Sequence, residues 1–404
     1  MDSADVIILG GGLVGLALVA ALDSSGLSAI MVDPADPSPR TSAGFDGRTS
    51  AVSSSSMKML ERIGVAAALP EPGCPIWRIA VADGLDPGSL HFDPDDGDPL
   101  GWMHENRHLR AALHARARSA NNAQLLWDST VTATERNEAG VLVRLADGRT
   151  LSAPLLIAAD GRNSPAREAA GIPVARWKYD HQAIVSVLGH ERAHDHVAYE
   201  IFYPSGPFAL LPMTDTPAGH RSAIVWSVPN ADATGWLALS DADFAAEAQA
   251  AMGGFLGHVE LLAPRSSFPL GFHHAATITK QRLALIGDAA HAIHPIAGQG
   301  LNLGFRDVAA LAQVLVEGAR LGLDLGDAQL LDRYQRWRAI DALSVAFATD
   351  TLTRIYGVPG KAASVVRRLG MAAVGRITPL RNRLMSEARG TSGELPLLLR
   401  GLPI

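Results

Sequence analysis

The residues best placed to do chemistry in this chain are mostly glycines. The run His294-Pro295-Ile296-Ala297-Gly298-Gln299-Gly300-Leu301-Asn302-Leu303-Gly304 closes on Asp307 and is preceded by Gly287-Asp288. Pro295, Gly298 and Gly300 predict a turn that lets backbone approach a flat ligand, and the apolar periodicity from Leu301 onward predicts a helix just behind it. The N–H groups of Gly298, Gln299 and Gly300, with Leu301 and Asn302 in the first turn, would then stand at the positive end of that helix. They suit a phosphate, or the negatively charged pyrimidine edge of a reduced flavin. This is the chemistry of a held cofactor rather than of an acid–base pair, and no catalytic base can be named from the sequence. His291 and His294 lie three apart but have no third ligand at metal-site spacing. There is no GxSxG elbow, the acids from Asp93 to Asp98 lack calcium-loop spacing, and His273-His274 reads as strand-end polarity.

A nucleotide needs a cradle, and the N-terminus offers one. Asp5 to Leu9 reads as a strand, Gly10-Gly11-Gly12-Leu13-Val14-Gly15 is GxGxxG, Leu16 to Leu22 continues as an apolar helix, and Ala29 to Val32 is a second strand ending at Asp33. Gly10 allows the tight turn, Gly12 lets a pyrophosphate reach the backbone, and Gly15 allows close helix–strand packing. Asp33, eighteen residues after Gly15, can accept ribose hydroxyls. Val6 to Leu22 is free of charge, yet its four glycines and the absence of a basic leader argue for the turn and against a signal peptide or membrane anchor.

A third signature lies between these two. Leu155 to Ala159 reads as a buried strand that runs into Asp160-Gly161-Arg162-Asn163-Ser164. The three signatures together, in this order, resemble the flavoprotein aromatic-ring monooxygenases of the para-hydroxybenzoate hydroxylase type. The run from His294 to Asp307 is similar to the signature of the ubiquinone-biosynthesis hydroxylases within that group, and the resemblance covers nearly the whole chain. It implies an α/β fold: a Rossmann-like FAD-binding domain, an inserted antiparallel-sheet substrate domain and a helical C-terminal region. It implies that Asp160, Gly161, Gly287 and Asp288 meet FAD, Asp288 through ribose or ribityl hydroxyls, and that Arg48 and Arg107 hold the diphosphate or ribityl chain. Pro295 would flank the flavin ring. The implied reaction is hydroxylation of a polyprenylated phenol on the route to ubiquinone, with NAD(P)H as electron donor and O2 as co-substrate, through a C4a-hydroperoxyflavin. No second GxGxxG is present, and the family likewise has no separate nicotinamide domain. Two other readings stay open: a hydroxylase of a non-prenylated phenol, and a flavin-stabilised scaffold of a biosynthetic complex.

Composition bounds the rest. At 404 residues and 48% hydrophobic content the chain exceeds one ordinary core. The pattern places the FAD-binding domain at 1–73, 101–178 and 280–345, the substrate domain at 74–100 and 179–279, and a helical C-terminal region at 346–404. Elements expected along the way include a helix from Ala51 to Ile63 and a strand from Ile76 to Ala82. The single cysteine, Cys74, excludes an internal disulfide, reads as packing, and makes a reducing cytosol the natural compartment. From Arg354 to Ile404 there are nine Lys/Arg against two Glu, an excess of +7 that leaves −13 on the remainder of a chain whose net charge is −6. Interleaved with apolar residues, these bases could rest on anionic lipid at the inner face of the cytoplasmic membrane, or dock on the acidic body. Expected partners are therefore the phenol, a membrane surface, other quinone-biosynthesis enzymes and a second copy of the chain. Nucleic acid is not among them.

Overall fold

A computed structural model describes residues 2–37, 45, 47–85, 90–94, 97–292, 299–339 and 384–404. The N-terminal strand Val6–Leu9 sits inside a six-stranded sheet in the order 279–280, 283–285, 155–158, 6–9, 29–32 and 123–126. All pairings are parallel except that of the edge strand Thr279–Lys280. Strands buried on both faces need continuous apolar runs, and Val-Ile-Ile-Leu, Ala-Ile-Met-Val and Leu-Leu-Ile-Ala supply them. Helix Leu13–Asp23 covers one face, buried from Gly15 to Leu22, and packs against the long helix Gln299–Arg320.

The second large layer is a nine-stranded sheet. Its centre runs Val174–His190, Gly219–Pro229, Gly206–Thr216 and Val197–Tyr203, all antiparallel. Arg78–Asp83 then joins Val197–Tyr203 in parallel. One face of this sheet lies under helices Asn230–Ala238 and Asp241–Ala251, where Ile184, Phe208, Leu210, Ile224, Trp226 and Phe244 form a core. The opposite face meets a three-stranded sheet made of Thr49–Ser53, Gly101–Glu105 and Cys74–Ile76. Val187, Ala198, Met213 and Ala223 of the large sheet pack there against Cys74, Ile76 and Met103.

Two expected elements change. The helix expected from Ala51 starts at Ser54, because Thr49–Ser53 is drawn into antiparallel pairing with Gly101–Glu105; Ser53 caps it, its hydroxyl accepting from the Ser56 N–H at 3.4 Å. The strand expected from Ile76 to Ala82 is two strands, Cys74–Ile76 and Arg78–Asp83, which belong to different sheets. Helix 328–339 and a short helix at 384–388 follow the long helix. Much of the basic segment, including Arg354, Lys361, Arg367, Arg368 and Arg376, lies outside the described residues. The described end of the chain is docked on the body: Leu398 and Leu399 enter the main core, the Ser55 hydroxyl donates to the Gly390 carbonyl, and the Trp337 indole donates to the Glu394 carbonyl.

Candidate cofactor and substrate site

Three adjacent parallel strands end side by side, at Leu9, Ala158 and Leu285, and each hands over to one of the glycine turns. Gly10 has φ +109, and a Cβ there would lie 2.4 Å from the Ala159 carbonyl oxygen. A Cβ on Gly15 would lie 2.0 Å from the Gly10 carbonyl oxygen, so the first turn of the helix is pressed onto the strand end. Val14 fills the gap to the other two turns: its methyls would stand 3.3 Å from a Cβ on Gly287 and 2.7 Å from one on Gly304. The crevice at the carboxyl ends of such strands is where parallel sheets hold ligands.

The mouth of this crevice is built for a group that the protein itself lacks. Gly12 caps helix Leu13–Asp23 with no side-chain hydrogen bond, which leaves first-turn N–H groups for a ligand. Positions where a Cβ would meet open space include Gly12, Gly161 and Gly300. Asp33 is buried and braces the turn: one carboxylate oxygen accepts from Gly11 N–H at 2.7 Å and the other from Ala35 N–H at 2.8 Å. Asp160 accepts from Ala166 N–H at 3.1 Å with Oδ2, while its buried Oδ1 has no hydrogen-bond partner among the described residues. Burial pushes the Asp160 carboxyl above its usual range, against the pull of its hydrogen bonds and of Arg167. Asp288 is exposed to solvent, yet enough protein surrounds it to raise its carboxyl, with Arg162 and His291 opposing. That combination marks a recessed position in an open cleft. Orphaned acceptors, open glycines and an uncapped helix end fit a dinucleotide such as FAD.

Other expected positions are arranged differently. Both ends of the Asn302 amide are spent on the small sheet, accepting from Ser53 N–H at 2.9 Å and donating to the Ala51 carbonyl at 2.8 Å, so Asn302 has only backbone to offer a ligand. Its effect is to tie the mouth of the long helix to strand Thr49–Ser53. Arg48 is exposed, and its carbonyl accepts from Asn106 N–H at 3.0 Å. Arg107 pairs with the buried Glu105 at 2.6 Å, and Glu105 also meets Arg221 of the large sheet at 2.8 Å. Both guanidiniums stand over Phe45. Pro295 and Gly298 lie outside the described residues; Gln299 and Gly300 open the long helix two positions earlier than its apolar periodicity predicts.

Asp307 closes the motif in sequence and turns out to be its keystone. It is 0% exposed, accepts from Gly287 N–H at 2.8 Å, and pairs with His291 at 2.9 Å and with Arg338 at 2.7 Å. Burial pushes its carboxyl up, but His291 and Arg338 outweigh burial and hold it below the usual range. An acid inside the apolar stretch Phe305 to Ala312 was the signal available in the sequence. A second grouping, Cys74, His194 and His196, has metal-ligating atoms within 4.8 Å of one another. The ring nitrogens of His194 are engaged there, Nδ1 accepting from His196 N–H at 3.0 Å and Nε2 donating to the Met213 carbonyl at 2.9 Å. Burial pushes the Cys74 thiol up to about 12, and Asp215 and Glu71 add to the shift. Among the described residues, no helix is long and apolar enough to cross a membrane.

Comparison with known proteins agrees with this geometry. Residues 3–346 match the family described as FAD binding domain. Ubiquinone hydroxylase UbiL of Rhodospirillum rubrum is 42% identical over 99% of this chain and 94% of its own length. A mitochondrial ubiquinone biosynthesis monooxygenase of Mus musculus is 32% identical over 95% of this chain and 90% of its own. Among solved structures, p-nitrophenol 4-monooxygenase of Pseudomonas putida superposes with a TM-score of 0.78, covering 98% of this chain and 100% of that one at 17% identity, which is a likeness of fold.

Proposed function

The chain belongs to the family of FAD-binding aromatic-ring monooxygenases that includes the ubiquinone hydroxylases, and from that membership we propose that it hydroxylates the ring of a polyprenylated phenol in ubiquinone biosynthesis. The observation that carries the reading is the convergence of three glycine turns at the carboxyl ends of adjacent parallel strands. FAD, when bound and reduced by NAD(P)H, would supply the activation of O2, from which one oxygen atom reaches the ring and the other leaves as water. The chain's own residues bind, orient and exclude water. In this reading Gly12, Leu13 and Val14 offer the helix end to the pyrophosphate, and the free lone pairs of Asp33 take the adenosine ribose. Asp160, Gly161, Gly287 and Asp288 line the ribityl side with Arg48 and Arg107. Pro295, Gly298, Gln299 and Gly300 border the ring, where backbone N–H groups favour negative charge on its pyrimidine edge.

A prenyl tail gives the charge asymmetry of the chain a purpose. The excess of +7 from Arg354 to Ile404 supports contact with anionic lipid, which presents the tail-bearing phenol at the crevice. Because residues 384–404 are docked on the core, truncation of the whole tail would unfold more than a membrane contact; charge substitution is the cleaner probe. The test is purified protein with NAD(P)H, O2 and a prenylphenol carried in phosphatidylglycerol vesicles. A product heavier by one oxygen atom is expected, at a rate lowered by raised salt and by Arg367→Gln/Arg368→Gln. NAD(P)H oxidation that no phenol stimulates would overturn the hydroxylase reading, and equal vesicle binding by both proteins would overturn the membrane reading.

A further inference from the structure

The large sheet carries one buried acid that neither the packing nor the cofactor crevice uses. Glu200 lies in strand Val197–Tyr203 and is 8% exposed, with no hydrogen bond or ion pair among the described residues. Its strand alternates: Tyr199, Ile201 and Tyr203 belong to the core beneath the helices, which places Ala198, Glu200 and Phe202 on the face turned toward the flavin-binding lobe. Register puts Glu200 opposite Ala209 and Val81, Ala209 opposite Val225, and Val225 opposite Val185. These side chains form one transverse row across five strands. The neighbouring row, with Val187, Ala223 and Leu211, packs on the small sheet, and the small sheet is tied by Ala51 to Asn302 at the mouth of the long helix. The Glu200 row adjoins that contact, and its Val81, Val185 and Val225 are only half-buried. The result is a partly open apolar row, next to the sheet that Asn302 ties to the long helix, with the Glu200 carboxylate set into it.

We infer that this row is the wall of the phenol site and that Glu200 is the base that accepts the phenolic proton. In that step the phenol O–H bond breaks, a carboxylic O–H forms on Glu200, and the negative charge passes to the phenolate oxygen and into the ring. The ring becomes a better nucleophile toward the oxygen atom supplied by FAD and O2, and Glu200 returns the proton when the product hydroxyl is restored. Burial alone raises the Glu200 carboxyl to about 7, which brings its basicity closer to that of a phenol than an exposed carboxylate's would be. The other titratable groups on this face are Asp83, His181, Asp215 and Arg221 of the large sheet, with Cys74 and Glu105 of the small one. Arg221 and Glu105 are paired with each other. This inference rests on the proposed hydroxylase activity and names the base for it.

The test uses the full chain with FAD and a short-chain 2-prenylphenol. Glu200→Gln keeps shape and removes the acceptor. Hydroxylation should fall about 100-fold or more, with FAD content, NAD(P)H-dependent flavin reduction and binding of the matching prenyl anisole unchanged, and with NAD(P)H consumption diverted to hydrogen peroxide. Wild-type hydroxylation should lose rate below pH about 7, and Glu200→Gln should lack that limb. Ring-fluorinated prenylphenols, whose hydroxyls ionise more readily, should recover much of the lost rate in Glu200→Gln; a structural role for the carboxyl predicts no such recovery. Glu200→Asp should keep the acid limb at a reduced rate. Equal hydroxylation and pH profile in wild type and Glu200→Gln would overturn the assignment, as would a Glu200→Gln defect that fluorination leaves unmoved. If the wild type itself hydroxylates no prenylphenol, it is the hydroxylase reading that fails.

Discussion

The two lobes each bury a carboxylate and treat it in opposite ways. In the flavin-binding lobe, Asp307 is saturated: the Gly287 N–H and His291 of one segment and Arg338 of another meet it. In the lobe built on the large sheet, Glu200 has apolar neighbours along its row and no partner among the described residues. Burial acts on both in the same direction, raising each carboxyl, and only the partners reverse the outcome at Asp307. A saturated buried charge fixes geometry because removing it strands the charges that remain. An unsaturated one costs stability while it waits, which is tolerable where the group must exchange a proton.

Substitution separates the two cases. Asp307→Ala should destabilise the protein by about 3–5 kcal/mol in urea unfolding, because Arg338 and His291 are left buried without their shared acid. A loss below about 1 kcal/mol would show that the triad is not a keystone. Glu200→Gln should instead stabilise, and only where the native carboxyl is charged. The folded Glu200 carboxyl titrates above its unfolded value of 4.5, so the folded state binds the extra proton and stability falls as pH rises from 4.5 to about 7. The variant should match wild type below that window and exceed it by on the order of 3 kcal/mol above it. His104 and His273, whose protonation burial pushes down to about 4, act oppositely, losing stability as pH falls below 6.5. The difference between variant and wild-type curves cancels them and isolates Glu200. A flat difference curve would mean that water reaches the carboxylate freely. Asp288→Ala is the smallest case: exposed and unpartnered among the described residues, it should change stability by less than about 0.5 kcal/mol while flavin content drops. Full flavin retention would remove this carboxylate from the cofactor cradle.

What could be read from the chain follows the same division. GxGxxG, Asp160-Gly161 and Gly287-Asp288 are local motifs: each turn's geometry is demanded by its own residues, so order along the chain was enough to identify the family. Asp307 was visible only as the end of a motif, because its partners Gly287, His291 and Arg338 come together through the fold. Glu200 was invisible, since Tyr-Glu-Ile in a strand reads as ordinary alternation, and only cross-strand register reveals that its outward face is a buried wall. The Ala51 helix boundary failed for the same reason, with long-range pairing to Gly101–Glu105 overriding the helical reading of the segment. Charge asymmetry of the tail was legible and left lipid contact and docking on the body both open; the described last residues take the docked arrangement.

The late arrival of Arg338 has a consequence for biogenesis. The strand at 6–9 is made long before its partner at 155–158, and that strand's own partner at 283–285 is later still; the clasp on Asp307 also needs helix 328–339. Such distant pairings make assembly slow. The nascent chain therefore carries an unfinished nucleotide cleft with apolar strand edges through most of translation. Apolar strand edges left unpaired for that long are prone to aggregation until the final helices are made.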